Sequence, residues 1–359
     1  MLKILKKLDW ILFVSVLVLL GLSLVTIYSL SISSGGTLFQ RQLYFVFISL
    51  VIFFITSFID YRIWKNYVWI FYVFGLILLV VVFFLGRASN GAISWFKIGA
   101  LNFQPVEFVK VVAILFLSQY FSRIKSSDLS WRNIVTSFLF IFLPIVLVIL
   151  QPDMGSAMVL AGIWFGIIFT VGINWRQLLT LILVGIFFIL IGWQFVLHDY
   201  QKQRVVSFLN PGSDPQGSGY NVIQAMVAIG SGGMKGKGIN NSSQSQLNFI
   251  PEKHTDFIFA TIAEENGLLG VFLLLVFFGV IFWRLKIIVG KARDRFGEIF
   301  VTGVSVVLFF QVLINIGMNL GVMPVAGLSL PFLSYGGSFL LVVMFLLGVA
   351  ENVYSKKIS

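Results

Sequence analysis

The sequence predicts an all-α polytopic membrane protein with ten transmembrane helices and one large polar loop between helices 7 and 8. Hydrophobic residues make up 58% of the chain and charged residues only 11%, whereas an average soluble domain has about 25% charged residues. The mean hydropathy is +0.99. A soluble protein of 359 residues could not hide that much apolar surface from water, so the bilayer is the expected solvent.

Apolar runs recur along the whole chain, and a run of about 20 residues suffices to cross the hydrocarbon core as a helix. Most connections between the runs are short, so residues 1–359 are treated as a single ten-helix membrane domain. The exception is a polar segment at residues 197–256, between the seventh and eighth runs. The predicted spans are residues 10–31, 42–59, 65–85, 105–122, 134–150, 155–172, 177–197, 257–283, 299–318 and 332–353.

The distribution of lysine and arginine predicts the orientation of these spans. An N-terminus in the cytoplasm puts 16 of the 25 Lys and Arg on cytoplasmic segments, as the positive-inside rule requires. The short outer loops then hold only Arg41, Arg87 and Lys97. We therefore expect both termini in the cytoplasm, the long loop outside, and a multi-pass protein of the bacterial cytoplasmic (inner) membrane. The 16 are Lys3, Lys6, Lys7, Arg62, Lys65, Arg123, Lys125, Arg132, Arg176, Arg284, Lys286, Lys291, Arg293, Arg295, Lys356 and Lys357.

Composition excludes several classes of site and partner. The net charge of +11 is mostly a signal of topology, so nucleic acid is not an expected partner. The chain has no cysteine, which excludes disulfides and thiolate metal sites. Its two histidines, His198 and His254, cannot form a metal cage alone. The first apolar run is too long for a signal-peptide core, so no cleavable signal sequence is expected.

The polar segment at residues 197–256 concentrates cations and glycines. The cations could receive an anionic group such as a lipid pyrophosphate. Glycines in IGSGGMKGKG, at residues 229–238, would let backbone amides approach that anion closely, although such runs also occur in plain flexible loops. The candidate pyrophosphate-binding residues of this segment are Arg204, Lys235, Lys237, Gly232 and Gly233, with Lys253 and His254 beside them.

Asp256 lies where the polar segment returns to the membrane, at the start of the eighth helix. The structural alternative is that Thr255 or Asp256 is an N-cap of that helix. A cap alone would not explain the cations in the same segment, so Asp256 is a candidate general base. Glu264 and Glu265 follow two to three turns later, and we expect one of them to be a structural or relay partner.

Three further charges lie in or next to predicted spans, where an ionisable group needs a partner or a purpose. Glu107 and Lys110 are three residues apart and therefore share one helix face. They either lock two helices as a neutralised pair or line a substrate cavity. Asp153 either caps the sixth helix or contributes to the site, and one residue can do both.

Two connections on the expected outer side contain unusual residues. At residues 87–105, Trp95 and Phe96 suit an interfacial half-helix, and Pro105 opens the fourth helix at a permitted position. At residues 321–338, two prolines and four glycines predict irregular backbone at membrane depth. Such backbone is tolerated only where protein or a water-filled cavity covers it.

The chain resembles the SEDS family (shape, elongation, division and sporulation), and within it the RodA branch most. The resemblance runs from the first predicted helix to the last. It departs from the family pattern at Ser94, Val106 and Asn319, where arginine, serine and an apolar residue are common. The motifs are Arg41 with Gln42, FQPVEFVK at 103–110, QPDMGSA at 151–157, YNVIQAMVAIGSGGMKGKG at 220–238, PEKHTDFIFATIAEENGLLG at 251–270 and NIGMNLGVMPVAGLSLPFLSYGGS at 315–338.

The resemblance implies the SEDS fold and a peptidoglycan glycosyltransferase. Such an enzyme polymerises lipid II into β-1,4 glycan strands during cell-wall elongation, with inverting displacement of undecaprenyl pyrophosphate. Asp256 would be the catalytic base, with Glu107, Lys110, Asp153, His254 and Lys253 in support. The expected lipid II or pyrophosphate-binding residues are Arg41, Arg204, Lys235, Lys237, Gly232, Gly233, Ser334 and Tyr335.

The implied partners are a class B penicillin-binding protein, which is a transpeptidase, and elongation proteins such as MreC. No cofactor is certain, and a divalent cation, Mg²⁺ or Mn²⁺, is left open as a second source of positive charge at the leaving group. The competing hypothesis is a lipid II flippase or another polyprenyl-lipid transporter, because intramembrane charges and broken helices also suit carriers. A third is a scaffold that recruits other proteins. The outward location of nearly every unusual residue favours the transferase.

Overall fold

The structure is a computed structural model that describes residues 8–32, 36–89, 92–98, 101–124, 129–195, 199–210, 212, 217–247 and 249–357. Ten of its helices are long and apolar enough to cross a membrane, which confirms the predicted multi-pass helical fold. Residues that entered the charge and loop predictions but lie outside the described ranges are Lys3, Lys6, Lys7, Lys125, Leu197 and His198.

The spanning helices follow the predicted apolar runs closely, and α1 and α5 match them to the residue. The ten are α1 (Trp10–Ser31), α2 (Thr37–Phe58), α4 (Val68–Leu85), α5 (Pro105–Ser122), α6 (Trp131–Leu150), α7 (Met154–Gly172), α8 (Trp175–Phe195), α12 (Ile258–Lys291), α13 (Arg295–Asn319) and α14 (Gly337–Lys357). The shorter elements are α3 (Tyr61–Asn66), α9 (Asp199–Leu209), α10 (Ser218–Gly232), α11 (Ser243–Gln246) and the strands β1 (Arg87–Ser89), β2 (Ala92–Ile98) and β3 (Leu101–Phe103).

Helix α5 lies at the centre of the bundle. In its most apolar stretch 83% of the residues are buried, whereas none of the residues in the corresponding stretch of α8 are buried. Close packing of α7 against α13 depends on small residues. A Cβ at Gly166 would lie 2.6 Å from Cγ1 of Val306, and one at Gly162 would lie 3.0 Å from the ring of Phe310. Close packing of the central helices therefore fixes the positions of the ends of α5, α7 and α13, which carry polar side chains.

The connection before α5 is a small sheet, so the predicted interfacial half-helix at Trp95 and Phe96 was wrong. Strands β1, β2 and β3 form an antiparallel sheet in that order, in which Arg87 pairs with Trp95 and Phe96 pairs with Phe103. The sequence AISWFKI is rich in β-branched and aromatic residues, which favour strands. An Asn-Gly pair between β1 and β2 in the sequence is also a hairpin signal.

Two other connections are ordered by packing against α12 and α13. The polar segment that precedes α12 contains α9, α10 and α11, and α10 packs on α12. The predicted irregular backbone is confirmed: residues 320–336 form no helix or strand. Leu328, Leu330 and Phe332 are buried, so protein covers the second half of this segment, as irregular backbone within a membrane requires.

At the other end of the bundle, polar side chains tie the helix ends together. Asp9 caps α1 and accepts a hydrogen bond from Nε of Arg284 at 2.7 Å. The Asp9 amide donates to Oε2 of Glu351 at 3.0 Å. Lys356 pairs with Asp60 at 2.8 Å. These contacts fasten the beginning of α1 and the ends of α12 and α14 to one another.

Candidate functional site

A cavity of about 590 Å³ opens at the end of the bundle where α5, α7, α12 and α14 begin and α13 ends. Its wall also includes β2, one turn of α9 and the irregular segment before α14. The acidic and basic residues that line it are Arg41, Lys97, Glu107, Asp153, Arg204, Glu252, His254 and Asp256. Residues far apart in the sequence thus meet around one opening, and both charge signs are represented.

Asp256 lies in a turn immediately before α12. The amides of Thr255 and Phe257 both donate to the carbonyl of Glu252, at 3.3 and 3.1 Å. Phe257 is the N-cap residue and has no side-chain capping hydrogen bond. Asp256 is therefore not the cap that the structural alternative required, and its carboxyl group faces the cavity instead.

The surroundings of Asp256 raise the pKa of its carboxyl group to about 7. Burial is the largest cause, and the negative charge of Glu252 adds to it. Arg204 and a hydrogen bond with Thr255 act in the opposite direction, and Asp153 raises the pKa slightly further. The side chain is enclosed by protein but keeps part of its surface open to the cavity. A pKa near the working pH is what a general base needs.

The backbone of this turn is fixed from the irregular segment. The Tyr335 amide donates to the carbonyl of His254 at 2.8 Å, and Oγ of Ser334 donates to the carbonyl of Thr255 at 2.7 Å. Ser334 Oγ also accepts from the Leu330 amide at 2.7 Å. Ser334 therefore holds the turn rather than lining the cavity, whereas Tyr335 does line it.

Two asparagines of α13, Asn315 and Asn319, hold the carbonyl of Asp256 itself. Their Nδ2 atoms lie 2.9 and 3.0 Å from that oxygen. Both residues fell within a motif used for the resemblance, but neither was assigned to the site. Asn315 and Asn319 interrupt an apolar helix at a spacing of four residues, and that spacing on one face is a signal that could have found them.

Glu107 and Lys110 form a buried ion pair with a distance of 2.7 Å. Lys110 is 1% exposed and Glu107 6% exposed. Glu107 also lines the cavity, and its Oε2 has no hydrogen-bond partner among the described residues. The ion pair is neutralised within α5 and does not itself join two helices, and its carboxylate reaches the cavity wall. Lys110 stays behind that wall, 5.8 Å from the ring centroid of Phe339.

Asp153 combines its two proposed roles. Its Oδ1 accepts from the Ser156 amide at 3.0 Å and so caps α7. Its Oδ2 accepts from Nε2 of Gln104 at 3.0 Å. The residue also lines the cavity opposite the Asp256 turn.

Among the predicted cations, Arg41, Arg204 and His254 line the cavity, and Lys97 of β2 joins them. Burial lowers the pKa of His254 from its ordinary value of 6.5. The imidazole is therefore neutral at pH 7 and acts as a hydrogen-bonding group, not as a cation. Lys97 was counted only as a topology signal, because the sequence did not show that a strand would bring it to the site.

The remaining predicted cations lie elsewhere. Lys253 donates to the carbonyl of Ser245, and burial lowers the pKa of its ammonium group. Lys237 pairs with Glu264 at 2.9 Å. Neither of them, nor Lys235, lines the Asp256 cavity in the part of the chain that the structure describes. The prediction that they bind pyrophosphate there has no support from their placement.

The glycine run packs against α12 rather than opening toward the cavity. A Cβ at Gly232 would lie 2.0 Å from the carbonyl oxygen of Ala263. The amides of Lys237 and Gly238 donate to the carbonyls of Glu264 and Glu265 at 2.9 and 3.0 Å. The amides of Lys237 and Gly238 are thus already paired, and neither Gly232 nor Gly233 lines the described Asp256 cavity.

Helix α12 breaks where this loop touches it. Gly267 has φ 63° and ψ −162°, values that interrupt the helix. The amides of Leu268 and Leu269 donate to the carbonyls of Gly233 and Met234 at 2.9 and 3.2 Å. The loop therefore completes the backbone hydrogen bonds that the break leaves open, as buried backbone groups require.

The acidic side chains do not form a metal centre by themselves. Among the residues that the structure describes, no three histidine, aspartate or glutamate side chains are grouped closely enough to hold a metal ion. Asp153, in addition, has donors on both oxygens. The donor set therefore does not fit a metal site built from protein ligands alone, and the divalent cation stays a prediction.

Comparison with known proteins identifies relatives across the whole chain. The family model FTSW_RODA_SPOVE, described as a cell cycle protein, matches residues 7–358. The chain is 38% identical over 341 residues to peptidoglycan glycosyltransferase MrdB of Escherichia coli (strain K12), covering 95% of this chain and 92% of the relative. It is 36% identical over 358 residues to stage V sporulation protein E of Bacillus subtilis (strain 168), covering 96% of each.

Solved structures agree with these matches. A chain from a structure on the coordination of polymerization and crosslinking by a peptidoglycan synthase complex has a TM-score of 0.85 and 31% identity, and covers 98% of each chain. The crystal structure of the rod shape determining protein RodA of Thermus thermophilus has a TM-score of 0.72 and 29% identity, with the same coverage. The chain therefore belongs to the FtsW/RodA/SpoVE family of cell cycle proteins, the SEDS family of the resemblance.

Proposed function

We propose that this protein is a peptidoglycan glycosyltransferase that polymerises lipid II, with Asp256 as its general base. The observation that carries the assignment of the base is a carboxyl group with a pKa of about 7 on the wall of a cavity of about 590 Å³. The reaction class is supported by relatives named as peptidoglycan glycosyltransferases that match over almost the whole chain.

The reaction transfers one sugar chain to the hydroxyl group of another. The 4-hydroxyl of a terminal N-acetylglucosamine attacks the anomeric carbon of an N-acetylmuramic acid that carries undecaprenyl pyrophosphate. A new carbon–oxygen bond forms as the anomeric bond to the pyrophosphate breaks. The hydroxyl proton passes to the Asp256 carboxylate, and one displacement inverts the α-linked donor to a β-1,4 product. An alcohol is too weak an acid to lose its proton unaided at neutral pH, so a positioned base accelerates the attack.

The leaving pyrophosphate requires positive charge, and Arg41, Lys97 and Arg204 line the same cavity as Asp256. Positive groups aimed at developing negative charge stabilise a transition state more in a water-poor site than in water. Mg²⁺ or Mn²⁺ could add charge at the same point when held by the pyrophosphate itself. The cavity volume of about 590 Å³ falls within the roughly 300–1,000 Å³ of ligand pockets. It suits sugar rings, while the polyprenyl tails remain in the bilayer.

The polymerase also fits better than the flippase. A carrier needs polar groups near the middle of the membrane that become accessible from both sides. At the far end of the bundle, the described acids Asp9 and Asp60 are held in ion pairs with Arg284 and Lys356. The cavity instead opens at one end, beside α5 and α12.

The test is polymerisation of radiolabelled lipid II by purified protein in detergent, where no membrane compartments exist and transport cannot contribute. Asp256→Asn should abolish polymer formation, whereas Glu298→Gln, at an exposed carboxylate on α13, should leave it unchanged. Polymerisation by Asp256→Asn at the wild-type rate, in a preparation free of other transferases, would exclude Asp256 as the base. Adding a chelator to the wild-type assay tests the divalent cation.

The expected partner is a class B penicillin-binding protein, because a similar chain forms part of a peptidoglycan synthase complex. MreC remains a further predicted partner. The polymerisation rate with and without the transpeptidase tests the first of these. An increase supports coupling between the two proteins.

The orientation in the bacterial inner membrane can be tested by cysteine labelling, because the natural chain has no cysteine. With both termini in the cytoplasm, Gln203→Cys in α9 should react with a membrane-impermeant maleimide in spheroplasts. Arg293→Cys, in the turn between α12 and α13, should react only after lysis. The reverse pattern would contradict the proposed topology.

A further inference from the structure

The strongest observation outside the proposed chemistry concerns two buried amide side chains behind the Asp256 turn. Asn315 and Asn319 lie one helical turn apart on α13, and each is 0% exposed. Both donate to the carbonyl of Asp256, at 2.9 and 3.0 Å. A carbonyl oxygen has two acceptor positions, so the two asparagines together satisfy this oxygen completely.

Asn319 also caps α12 from a different helix. Its Oδ1 accepts from the amide of Ala260 at 3.1 Å. That amide belongs to the first turn of α12, where backbone donors have no partner within the helix. Phe257, the N-cap residue, supplies no side-chain bond. One amide group thus joins the carbonyl before the helix to a donor inside its first turn.

Asn315 connects the Asp256 turn to the irregular segment before α14. Its Nδ2 donates to the carbonyl of Leu328 at 2.7 Å. Asn319 Nδ2 donates to the main-chain carbonyl of Asn315 at 2.8 Å, which ties the Asn319 side chain to the preceding turn of α13. Next to Leu328, a Cβ at Gly327 would lie 3.7 Å from Oδ2 of Asp256. The asparagine pair therefore contacts both the turn that carries Asp256 and the segment that lies next to its carboxylate.

We propose that Asn319 is a positioning residue, which fixes the backbone of the Asp256 turn so that the carboxylate keeps its place on the cavity wall. The proposal rests on the proposed function of Asp256 as the base. An apolar side chain would leave the Ala260 amide without its partner and the Asp256 carbonyl with one donor.

A purely stabilising role would predict a different outcome, and the chain provides a matched control. Asn352 on α14 is 2% exposed. Its Oδ1 accepts from the Tyr61 amide at 3.0 Å, and its Nδ2 donates to the carbonyl of Ser57 at 2.8 Å. It is therefore another buried asparagine that bridges two backbone groups of other elements. It lies at the end of the bundle opposite the cavity.

The experiment compares Asn319→Leu with Asn352→Leu in detergent, measuring the thermal midpoint, kcat, KM and the pH profile of lipid II polymerisation. Both variants should lower the midpoint. Only Asn319→Leu should lower kcat per folded enzyme, by roughly 10- to 100-fold with little change in KM, because a misplacement of about 1 Å can cost about 100-fold. The acidic limb of its pH profile should also move to lower pH, since a loosened turn admits water to the carboxyl group.

The groups that act on the pKa of Asp256 are Glu252, Arg204, Thr255 and Asp153, and neither substitution changes any of these residues. If Asn319→Leu does not fold, Asn319→Ala serves instead, because it removes the same donor and acceptor without adding a charge or a larger side chain beside the Asp256 turn. A wild-type kcat and pH profile in the folded variant would overturn the proposal. Wild-type protein that makes no polymer would instead refute the proposed function.

Discussion

Asp256 and Glu264 are two carboxylates only eight positions apart in the sequence, yet they have opposite surroundings. Glu264 is 0% exposed and accepts five hydrogen bonds, from Lys237, Ser243, Gln244 and twice from Ser245. Asp256 faces a cavity, and burial raises its pKa to about 7. The carboxylate that is saturated with donors anchors the loop, and the one with few donors is able to exchange a proton.

The difference follows from general electrostatics. Hydrogen bonds to a charged carboxylate favour the charged form, whereas removal from water disfavours it. The backbone amides of Gln244 and Ser245, at the start of α11, donate hydrogen bonds to Glu264. These fixed donors take the place of water around its carboxylate. In the sequence both residues are acids, and nothing in that property tells which one is the base and which one is the anchor. The number of donors around each one does.

The largest effect should come from Asp256→Asn. Loss of a general base costs about 100- to 10,000-fold in rate, and the amide cannot take the proton. Because the substitution also removes a desolvated carboxyl group, the thermal midpoint should be unchanged or higher. Turnover assays and thermal unfolding in detergent check both parts. A lowered midpoint with normal turnover would reverse the roles assigned to Asp256 and Glu264.

Glu264→Ala should show the opposite pattern. Lys237 and the amides of α11 would lose their acceptor, at a cost on the order of 3 kcal/mol because bonds to charged groups contribute more than neutral ones. At temperatures below the thermal midpoint, kcat should remain near the wild-type value, since the loop that Glu264 anchors lies outside the cavity. Glu298→Ala, at an exposed acid of α13, is the control for loss of a carboxylate. Loss of turnover in folded Glu264→Ala protein would give this acid a chemical role.

A smaller destabilisation is expected for Gly236→Ala. Gly236 has φ +78°, and a Cβ there would lie 2.1 Å from the carbonyl oxygen of Glu265. Gly233→Ala is the matched variant, because Gly233 also has positive φ, +54°, with nothing within 4 Å of its Cβ position. We expect Gly236→Ala to lose about 2 kcal/mol more than Gly233→Ala, since both variants carry the strain of positive φ but only Gly236→Ala adds a steric clash, and overpacking costs about 1–3 kcal/mol. Equal unfolding free energies would show that the loop does not need this close approach.

The most graded effect is the dependence on pH. The pKa of Asp256 is raised from 3.8 to about 7, so its basic form is populated only as the pH rises through that value. We expect kcat to fall about tenfold per unit below this range and to level off above it. The stability of the fold should depend on pH in the opposite direction to kcat. The folded state binds the Asp256 proton more tightly than the unfolded state does, so this group stabilises the fold at low pH, and the stabilisation is lost between pH 3.8 and about pH 7. Asp256→Asn should remove that component, and an unchanged stability profile would argue against a raised pKa.

The sequence predicted the helices well because each apolar run must cross the bilayer, and Pro105 marked the start of α5. Asp256, Glu107 and Asp153 were found because charge next to a span needs a reason. Lys97 was missed as a site residue because the strand that brings it to the cavity was taken for a half-helix. The anchor between Lys237 and Glu264 was missed because its partners are far apart in the chain, and only the folded loop shows which acid each cation meets.

The fixed turn has one more consequence. The carbonyls of His254, Thr255 and Asp256 are all held by side chains or amides of α13 and the segment before α14. Consecutive main-chain atoms that are pinned in this way cannot retreat to accommodate a longer or shorter side chain. The reach of the reacting oxygen is therefore set by the number of carbon atoms in the side chain alone, and evolution cannot exchange aspartate for glutamate here without moving the point of proton transfer.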